Sequence, residues 1–230
     1  MTQILGLIPA RGGSKGIPNK NAVLLVGQPL LWYTAQAALE AKSLSRVLLS
    51  TDDQKIAELG KQYGLEVPFL RPKELAEDTT SMIDVLFHAL STIADTGDAE
   101  PEILILLQPT SPLRMASDID AAVELLVKTG ADTVVSVTEV PHHFGPQSMM
   151  RLEGDKLRPF LETPPVLLRQ GKERVYARNG PAILAIRTAF LKQKKGFYAG
   201  DTRAYVMPRE RSIDIDDAFD LKVAEGLMLG

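Results

Sequence analysis

Apolar runs alternate with amphipathic stretches along most of the chain. In Leu30–Ala41, the apolar positions Leu31, Ala35 and Ala38 recur at helical spacing. The run Glu102–Leu107 is apolar almost throughout, as in strands buried on both faces of a parallel sheet. The same patterns predict further strands at Gln3–Pro9, Arg46–Ser50, Glu66–Leu70, Thr133–Thr138, Pro181–Ile186 and Ala204–Val206. They predict further helices at Asp53–Tyr63, Ser81–Ala94, Ser117–Lys128 and Asp217–Leu229.

This alternation of strands and helices predicts an α/β domain wound around a mostly parallel sheet. The alternation breaks between Glu139 and Arg178, where only short strand-like pieces occur, at Gln147–Leu152 and Lys156–Leu161. A structureless segment of this length would be unusual in a compact domain. We therefore expect residues 1–230 to form a single domain that carries residues 139–178 as an inserted arm.

Composition narrows the class of protein. The 230 residues are 45% hydrophobic and 24% charged, which is ordinary for a globular domain. The net charge of -3 does not favour nucleic-acid binding, and the absence of cysteine excludes disulfides and thiolate catalysis. Neither a signal peptide nor a run long enough to cross a membrane is evident, so we expect a soluble cytoplasmic protein.

The loop that follows the first predicted strand combines glycines with cations. Gly12, Gly13 and Gly16 allow the backbone to approach a ligand closely, and the loop also carries Arg11, Lys15 and Lys20. Neither the Walker loop nor the dinucleotide fingerprint fits, since Pro18 falls where the helix of that fingerprint should run. This composition favours a loop that binds a triphosphate, and a basic surface loop without a ligand is the alternative.

Two acids near the C-terminus are a candidate metal site. In extended chain, Asp214 and Asp216 point the same way, while Ile213 and Ile215 point towards the core. Paired carboxylates suit Mg²⁺, which takes substrate phosphates and water as further ligands. Helix capping is the alternative, but it explains Asp217 better than Asp214.

Other polar sequences follow predicted strands, where ligands bind in open α/β sheets. Gln108-Pro-Thr110 joins a rigid backbone to amide and hydroxyl groups, which suits a sugar or a simple turn. Arg169, Arg174 and Arg178 could bind carboxylates or phosphates, or could belong to a solvated face.

Together these motifs resemble the acylneuraminate cytidylyltransferase family, over nearly the whole chain and most weakly from Pro141 to Val175. The matching segments are residues 8–21, Ser50-Thr-Asp52, Leu70-Arg-Pro72, Leu107–Arg114, Arg178-Asn-Gly180 and Ser212–Asp216. The resemblance implies a three-layer, Rossmann-like nucleotide-diphospho-sugar transferase fold. It also implies that the inserted arm is a dimerisation arm.

The resemblance further implies a reaction in which CTP and a nine-carbon 2-keto-3-deoxy sugar acid give a CMP-sugar and pyrophosphate. It places Mg²⁺ on Asp214 and Asp216, which join Arg11 and Lys20 as the expected catalytic residues. The implied nucleotide-binding residues are Ala10, Arg11, Gly12, Gly13, Ser14, Lys20, Asn21, Arg71 and Ser81. The implied sugar-binding residues are Gln108, Thr110, Arg169, Arg178 and Asn179.

The chain departs from the family pattern on the expected sugar side. His142-His143 is followed by Phe144-Gly-Pro-Gln without a lysine, and Pro181 and Leu184 stand where many members have Ala and Tyr. The sugar acid therefore stays open between N-acetylneuraminate and legionaminic or pseudaminic acid. Enzymes for 3-deoxy-manno-octulosonate typically carry an Asp in the loop that here reads Gln108-Pro-Thr, which disfavours that substrate. A non-catalytic CTP-binding regulator is the alternative from another class.

Overall fold

The computed structural model describes residues 2–14, 16–161 and 173–230. Its strands are β1 (Ile4–Pro9), β2 (Leu24–Leu25), β3 (Gln28–Pro29), β4 (Arg46–Ser50), β5 (Ile103–Leu106), β6 (Thr133–Glu139), β7 (Met150–Glu153), β8 (Lys156–Pro159), β9 (Tyr176–Arg178), β10 (Leu184–Arg187) and β11 (Thr202–Val206). Its α-helices are α1 (Leu30–Glu40), α2 (Gln54–Gln62), α3 (Met82–Asp95), α4 (Ala116–Thr129), α5 (Thr188–Lys194) and α6 (Ala218–Leu229).

In the described part of the chain, the central sheet has the strand order β11-β6-β10-β5-β1-β4, with β9 also paired to β6. Strands β1, β4 and β5 are mutually parallel, as are β6 and β11. The exceptions are β9 and β10, which both run antiparallel to β6. The predicted α/β fold with a mostly parallel sheet is confirmed.

Helices cover both faces of the sheet, which makes three layers. Along β5, Ile103 and Ile105 pack with α1, α2 and α4, whereas Leu104 and Leu106 pack with α3 and α5. Successive residues of a strand point to opposite faces, so an all-apolar strand fills both cores. All four of these side chains are almost completely buried.

A third, smaller apolar cluster lies under the glycine-rich loop. It joins Ile17 of that loop and Leu25 of β2 to Ile215 and to Ala224 of α6. The loop between β1 and α1 is thereby packed against the segment that carries the paired aspartates, although 190 or more residues separate them in sequence.

The predicted strand at Glu66–Leu70 is wrong. This segment contributes only one isolated bridge, from Glu66 to Leu48. Pro68 has no N–H to donate to a ladder, which accounts for the interruption of the pairing. The segment nevertheless stays beside the end of β4, since the Arg71 N–H donates to the Thr51 carbonyl at 2.7 Å.

Strand β9 and helix α5 were not predicted, and neither were the two-residue strands β2 and β3. Strand β9 pairs with the last residues of β6 in the register Val137↔Arg178, so the chain rejoins the sheet before Asn179. Helix α5 follows β10 directly. Its lysines obscure, in the sequence, the helical pattern of the apolar residues Phe190 and Leu191.

Within the inserted segment, β7 and β8 form a separate hairpin and, among the described residues, pair with no other strand. Leu152 and Leu157 face each other across the two strands and are 71% and 63% exposed. Met150 and Phe160 are also exposed, so this hairpin presents an apolar surface to solvent. No helix in the described residues combines the length and apolarity needed to cross a bilayer.

Candidate functional site

A cavity of about 300 Å³ lies at the carboxyl ends of β1, β4 and β5. Four separate segments contribute to it. They are the glycine-rich loop (residues 10–21), the chain from Arg71 to Val85, the loop after β5, and the segment Ser212–Asp216, called the aspartate segment below. Its lining includes the predicted residues Arg11, Gly13, Ser14, Lys20, Asn21, Arg71, Gln108, Thr110, Asp214 and Asp216. The structure therefore brings both the proposed phosphate-binding and metal-binding groups to one place.

Hydrogen bonds of its backbone fix the position of the glycine-rich loop. The Gly12 N–H donates to Asp52 Oδ1 at 3.0 Å, and Asn21 Nδ2 donates to the Arg11 carbonyl at 2.8 Å. A Cβ atom at Gly16 would overlap the carbonyl oxygen of Asp216, so a side chain there would push the loop off the aspartate segment. Glycine at this position is thus a requirement of close approach.

Lys20 connects the loop to the paired aspartates. Its Nζ donates to the Ile215 carbonyl at 2.7 Å and lies 3.2 Å from Asp216 Oδ1. The Lys20 side chain is 12% exposed, whereas that of Asp216 is 81% exposed. The ammonium is thus fixed at the cavity wall, and the Asp216 carboxylate can reach a ligand in solution.

Asp214 lies deeper than Asp216. Its Oδ1 is buried and accepts no hydrogen bond from any described residue. Burial raises the pKa of Asp214 and the Asp216 carboxylate raises it further, while the nearby Thr110 hydroxyl and Lys20 oppose the shift. An ionised, unpartnered buried carboxylate is costly, so this oxygen suits a cation that arrives with a ligand.

Arg71 is a buried cation with incomplete pairing. Its side chain is almost fully buried, its Nη2 is 3.8 Å from Asp52 Oδ1, and its Nε has no acceptor among the described residues. Burial lowers the pKa of Arg71, and Asp52 opposes that shift. A buried guanidinium with a free donor beside a cavity favours a ligand that supplies an acceptor.

The loop after β5 is anchored from below by Arg114. Its Nη1 donates to the carbonyls of Gln108, at 3.3 Å, and Ala182, while Nη2 donates to Thr34 Oγ1 at 2.7 Å. Burial lowers the pKa of Arg114 to about 9, opposed by Asp118. Arg114 thereby fixes the backbone of the loop that carries Gln108 and Thr110, the two residues predicted to bind the sugar.

The aspartate segment is anchored by an ion pair on its other side. Arg211 donates two hydrogen bonds to the buried Asp118, at 2.7 and 3.1 Å, and the Tyr205 hydroxyl donates a third at 2.9 Å. Burial raises the pKa of Asp118, but these bonds and the Met115 N–H outweigh it, so the net pKa is lowered. Burial and Asp118 together raise the pKa of Tyr205 to about 12.

Several predicted site residues lie outside the cavity lining. Ala10 is fully buried, and Ser81 caps α3 by accepting from the Ile83 N–H at 3.2 Å. Arg178 donates to the Tyr198 hydroxyl at 3.1 Å. Arg169 is outside the described residues.

Asn179 is buried at the junction of β9 and β10. Its Oδ1 accepts from Ser136 Oγ at 2.6 Å, and its Nδ2 donates to Ser212 Oγ at 3.0 Å. These bonds connect the strand break to the start of the aspartate segment. Gly180 follows at φ 116°, and a Cβ there would come within 3.3 Å of Asp214 Cγ. The Arg178-Asn-Gly180 motif thus shapes the wall behind Asp214.

Sequence reasoning missed a second wall of the cavity. Thr80, Met82 and the segment from Leu75 to Asp78 line it. Asp53 caps α2, whereas Asp52 accepts from the Gly12 N–H and lies 3.8 Å from Arg71 Nη2. The one available signal was the doublet Asp52-Asp53, since a helix needs only one N-cap.

The cytidylyltransferase family model matches residues 5–219. The chain belongs to the cytidylyltransferase family. It is 36% identical over 225 residues to an N-acylneuraminate cytidylyltransferase of Escherichia coli O18:K1:H7, which covers 97% of this chain and 51% of that protein. It is 34% identical over 227 residues to a CMP-N,N'-diacetyllegionaminic acid synthase of Legionella pneumophila, covering 98% of this chain and 96% of that protein.

A solved structure of CMP:2-keto-3-deoxy-manno-octonic acid synthetase complexed with CTP has the same fold. Its TM-score is 0.71 at 16% identity, covering 99% of each chain. Relatives differ in length, since this cytidylyltransferase chain spans about half of the E. coli protein and nearly all of the Legionella protein.

Replacing Asp118 by Asn should destabilise the fold, because Arg211 loses its ionised partner; we expect about 3 kcal/mol in the free energy of unfolding. A lowered carboxyl pKa stabilises the folded state above the unfolded pKa, and this contribution is lost as pH falls through the folded pKa. Asp118→Asn should therefore cost most near pH 7 and flatten the acid side of the stability profile, measured by urea unfolding from pH 7 to 3.

Asp120→Asn is the control, because Asp120 lies on the same helix and accepts from Ser43 and Lys42 rather than from Arg211. Equal losses of stability in the two variants, with the same pH dependence, would contradict the role given to the Asp118–Arg211 pair.

Proposed function

We propose that this protein transfers CMP from CTP to the anomeric hydroxyl of a nine-carbon 2-keto-3-deoxy sugar acid and releases pyrophosphate. The observation that carries this proposal is the meeting of Lys20 with Asp216 in one cavity, with Asp214 and Arg11 on its walls. Family membership and the relatives named N-acylneuraminate cytidylyltransferase support the same reaction.

The reaction asks the protein mainly for positioning and charge neutralisation. The sugar hydroxyl oxygen forms a bond to the α-phosphorus while the bond from that phosphorus to the leaving pyrophosphate oxygen breaks. Arg11 and Lys20 are placed to neutralise the triphosphate, and the free Nε of Arg71 can donate to an acceptor on the nucleotide. Gln108 and Thr110 offer amide and hydroxyl groups to the sugar acid.

Mg²⁺ is the metal we propose for Asp214 and Asp216. The fit rests on the buried, unpartnered Oδ1 of Asp214 next to the exposed carboxylate of Asp216. In the described residues, no group of three or more His, Cys, Asp or Glu side chains could enclose a metal. Two carboxylates leave positions for water and phosphate oxygens, which is the usual pattern for Mg²⁺. When bound, Mg²⁺ would supply positive charge to the phosphates.

The identity of the sugar acid depends on the side of the site where the chain is least typical of its family. A separate groove of about 1160 Å³ is lined by residues 138–143, Glu173 and Arg174, and residues 206–209, which include the start of the segment that departs from the family pattern. His142 and His143 line this groove beside the divergent Phe144. Legionaminic or pseudaminic acid is therefore the second candidate, supported by the 34% identity to the Legionella synthase.

We also propose that the protein is a homodimer held by the inserted arm. The hairpin of β7 and β8 exposes Leu152 and Leu157, and Met150 extends this apolar surface on the same face. Exposed apolar patches on soluble proteins commonly mark protein–protein contacts.

Pyrophosphate release should be measured with CTP and a panel of N-acetylneuraminate, legionaminate, pseudaminate and 3-deoxy-manno-octulosonate. We expect release with at least one nine-carbon acid, at a kcat/KM about 10-fold or more above that for the octulosonate, because side-chain fit in a pocket discriminates by about 10- to 200-fold. No release with any acid, despite CTP binding, would favour the non-catalytic regulator.

Asp214→Asn and Asp216→Asn should each reduce metal-dependent pyrophosphate release by at least about a hundredfold, since they remove charge that would hold the metal. Because burial raises the pKa of Asp214, its ionised form opposes folding at neutral pH. Asp214→Asn should therefore keep or increase the thermal midpoint while activity is lost. Asp217→Asn is the matched control, since Asn also caps helices; full turnover by both site variants would exclude the metal assignment.

The double substitution Leu152→Glu, Leu157→Glu should weaken dimerisation. Each buried leucine contributes about 1.5–3 kcal/mol, and two copies of each would be affected, so we expect at least a shift of about a hundredfold in Kd. Sedimentation velocity measures this shift. Val127→Glu, which changes an exposed residue of α4, is the control, and an unchanged Kd in the double variant would exclude the hairpin as the interface.

A further inference from the structure

One cation of the glycine-rich loop is already paired with an acid inside the cavity. Arg11 Nη2 lies 2.7 Å from Asp78 Oδ1, and Arg11 Nη1 donates to the Ala76 carbonyl at 3.4 Å. Asp78 and Ala76 belong to the segment between Arg71 and α3, which forms the wall that sequence reasoning missed. A carboxylate thus sits on the guanidinium that the proposed function assigns to the triphosphate.

We propose that the Asp78 carboxylate takes the place of a phosphate on Arg11, so that every incoming anion must displace it. The proposal rests on the proposed function, because it presumes that Arg11 binds a phosphate of CTP. Its consequence is a threshold that is common to all anions: each one that reaches Arg11 binds more weakly by the same factor, and the product pyrophosphate is therefore held less tightly.

The contact is of the right strength for such a threshold. The two side chains are 35% and 41% exposed, so solvent screens the pair. Ion pairs of this kind contribute about two- to fivefold to an equilibrium constant. The affinity for a metal-free inorganic anion is reduced by this whole factor. The affinity for a nucleoside triphosphate is reduced by the same factor, but this ligand also contacts Lys20 and Arg71, which line the same cavity.

Positioning of Arg11 is the rival role for Asp78, and the geometry argues against it. The Arg11 carbonyl already accepts from Asn21, and the next residue, Gly12, is held by Asp52. The loop backbone is therefore placed without Asp78. The Asp78 carboxylate contacts the tip of the guanidinium, at Nη2, which is the part that a phosphate needs.

The decisive measurement is the Kd of inorganic pyrophosphate and of CTP, without added metal, by isothermal titration calorimetry. Asp78→Asn should tighten pyrophosphate binding by about two- to fivefold, because the competing charge is removed. In turnover assays, inhibition by pyrophosphate should strengthen by the same factor. An unchanged or weaker affinity in Asp78→Asn would overturn the proposal, since positioning and ligand-binding roles both predict a loss.

Glu77→Gln is the matched control. Glu77 lines the same cavity from the same segment, and among the described residues the Arg11 guanidinium contacts Asp78 and Ala76 but not Glu77. An equal gain in affinity from Glu77→Gln would show a general charge effect and would overturn a specific role for Asp78.

A double-mutant cycle with Arg11→Gln tests the pair itself. In that background, Asp78→Asn should no longer tighten pyrophosphate binding, and a persisting gain would also overturn the proposal. The proposed function fails separately: in that case the wild-type protein releases no pyrophosphate with any sugar acid, whatever the Asp78 variants do to anion binding.

Discussion

The functional site depends on how one residue, Ile215, is held. Its N–H donates to the Thr110 carbonyl at 2.8 Å, its carbonyl accepts from Lys20 Nζ at 2.7 Å, and its side chain is completely buried with Ile17 and Leu25. Three loops that are distant in sequence therefore meet at one backbone unit. Because Asp214 and Asp216 flank Ile215, the same contacts that close the small apolar cluster also direct both carboxylates into the cavity.

The electrostatics of the cavity are unfavourable for an empty protein and favourable for a bound one. Among the described residues, the buried Oδ1 of Asp214 has no hydrogen-bond donor and the buried Nε of Arg71 has no acceptor. Each costs stability, since desolvated polar groups need partners. The surrounding fold offsets this cost with hydrogen-bonded anchors, among them the Asp118–Arg211 ion pair and the contacts of Arg114 with Gln108 and Thr34. A ligand that brings a hydrogen-bond acceptor for Arg71 and a cation for Asp214 would satisfy both groups.

Prediction from the sequence worked best where a local pattern and a burial requirement agreed. The apolar run around Ile105 could only be a strand buried on both faces, and it is the centre of both cores. It failed at Glu66–Leu70, where Pro68 ends the pairing that the apolar residues suggested. The resemblance also pointed to Ser81, which caps α3, while its neighbours Thr80 and Met82 line the cavity.

Local sequence was therefore enough to identify the class of fold, the glycine-rich loop with Arg11 and Lys20, and the aspartate pair, because each rests on short-range spacing and on residue chemistry. Which of these groups meet, and which opposing charges face them, depended on long-range packing. The pairing of Arg11 with Asp78 spans 67 positions, and no periodicity encodes it. It follows from the parallel sheet, which brings the loops after β1, β4 and β5 to one edge, where charges from distant parts of the chain come within hydrogen-bonding distance.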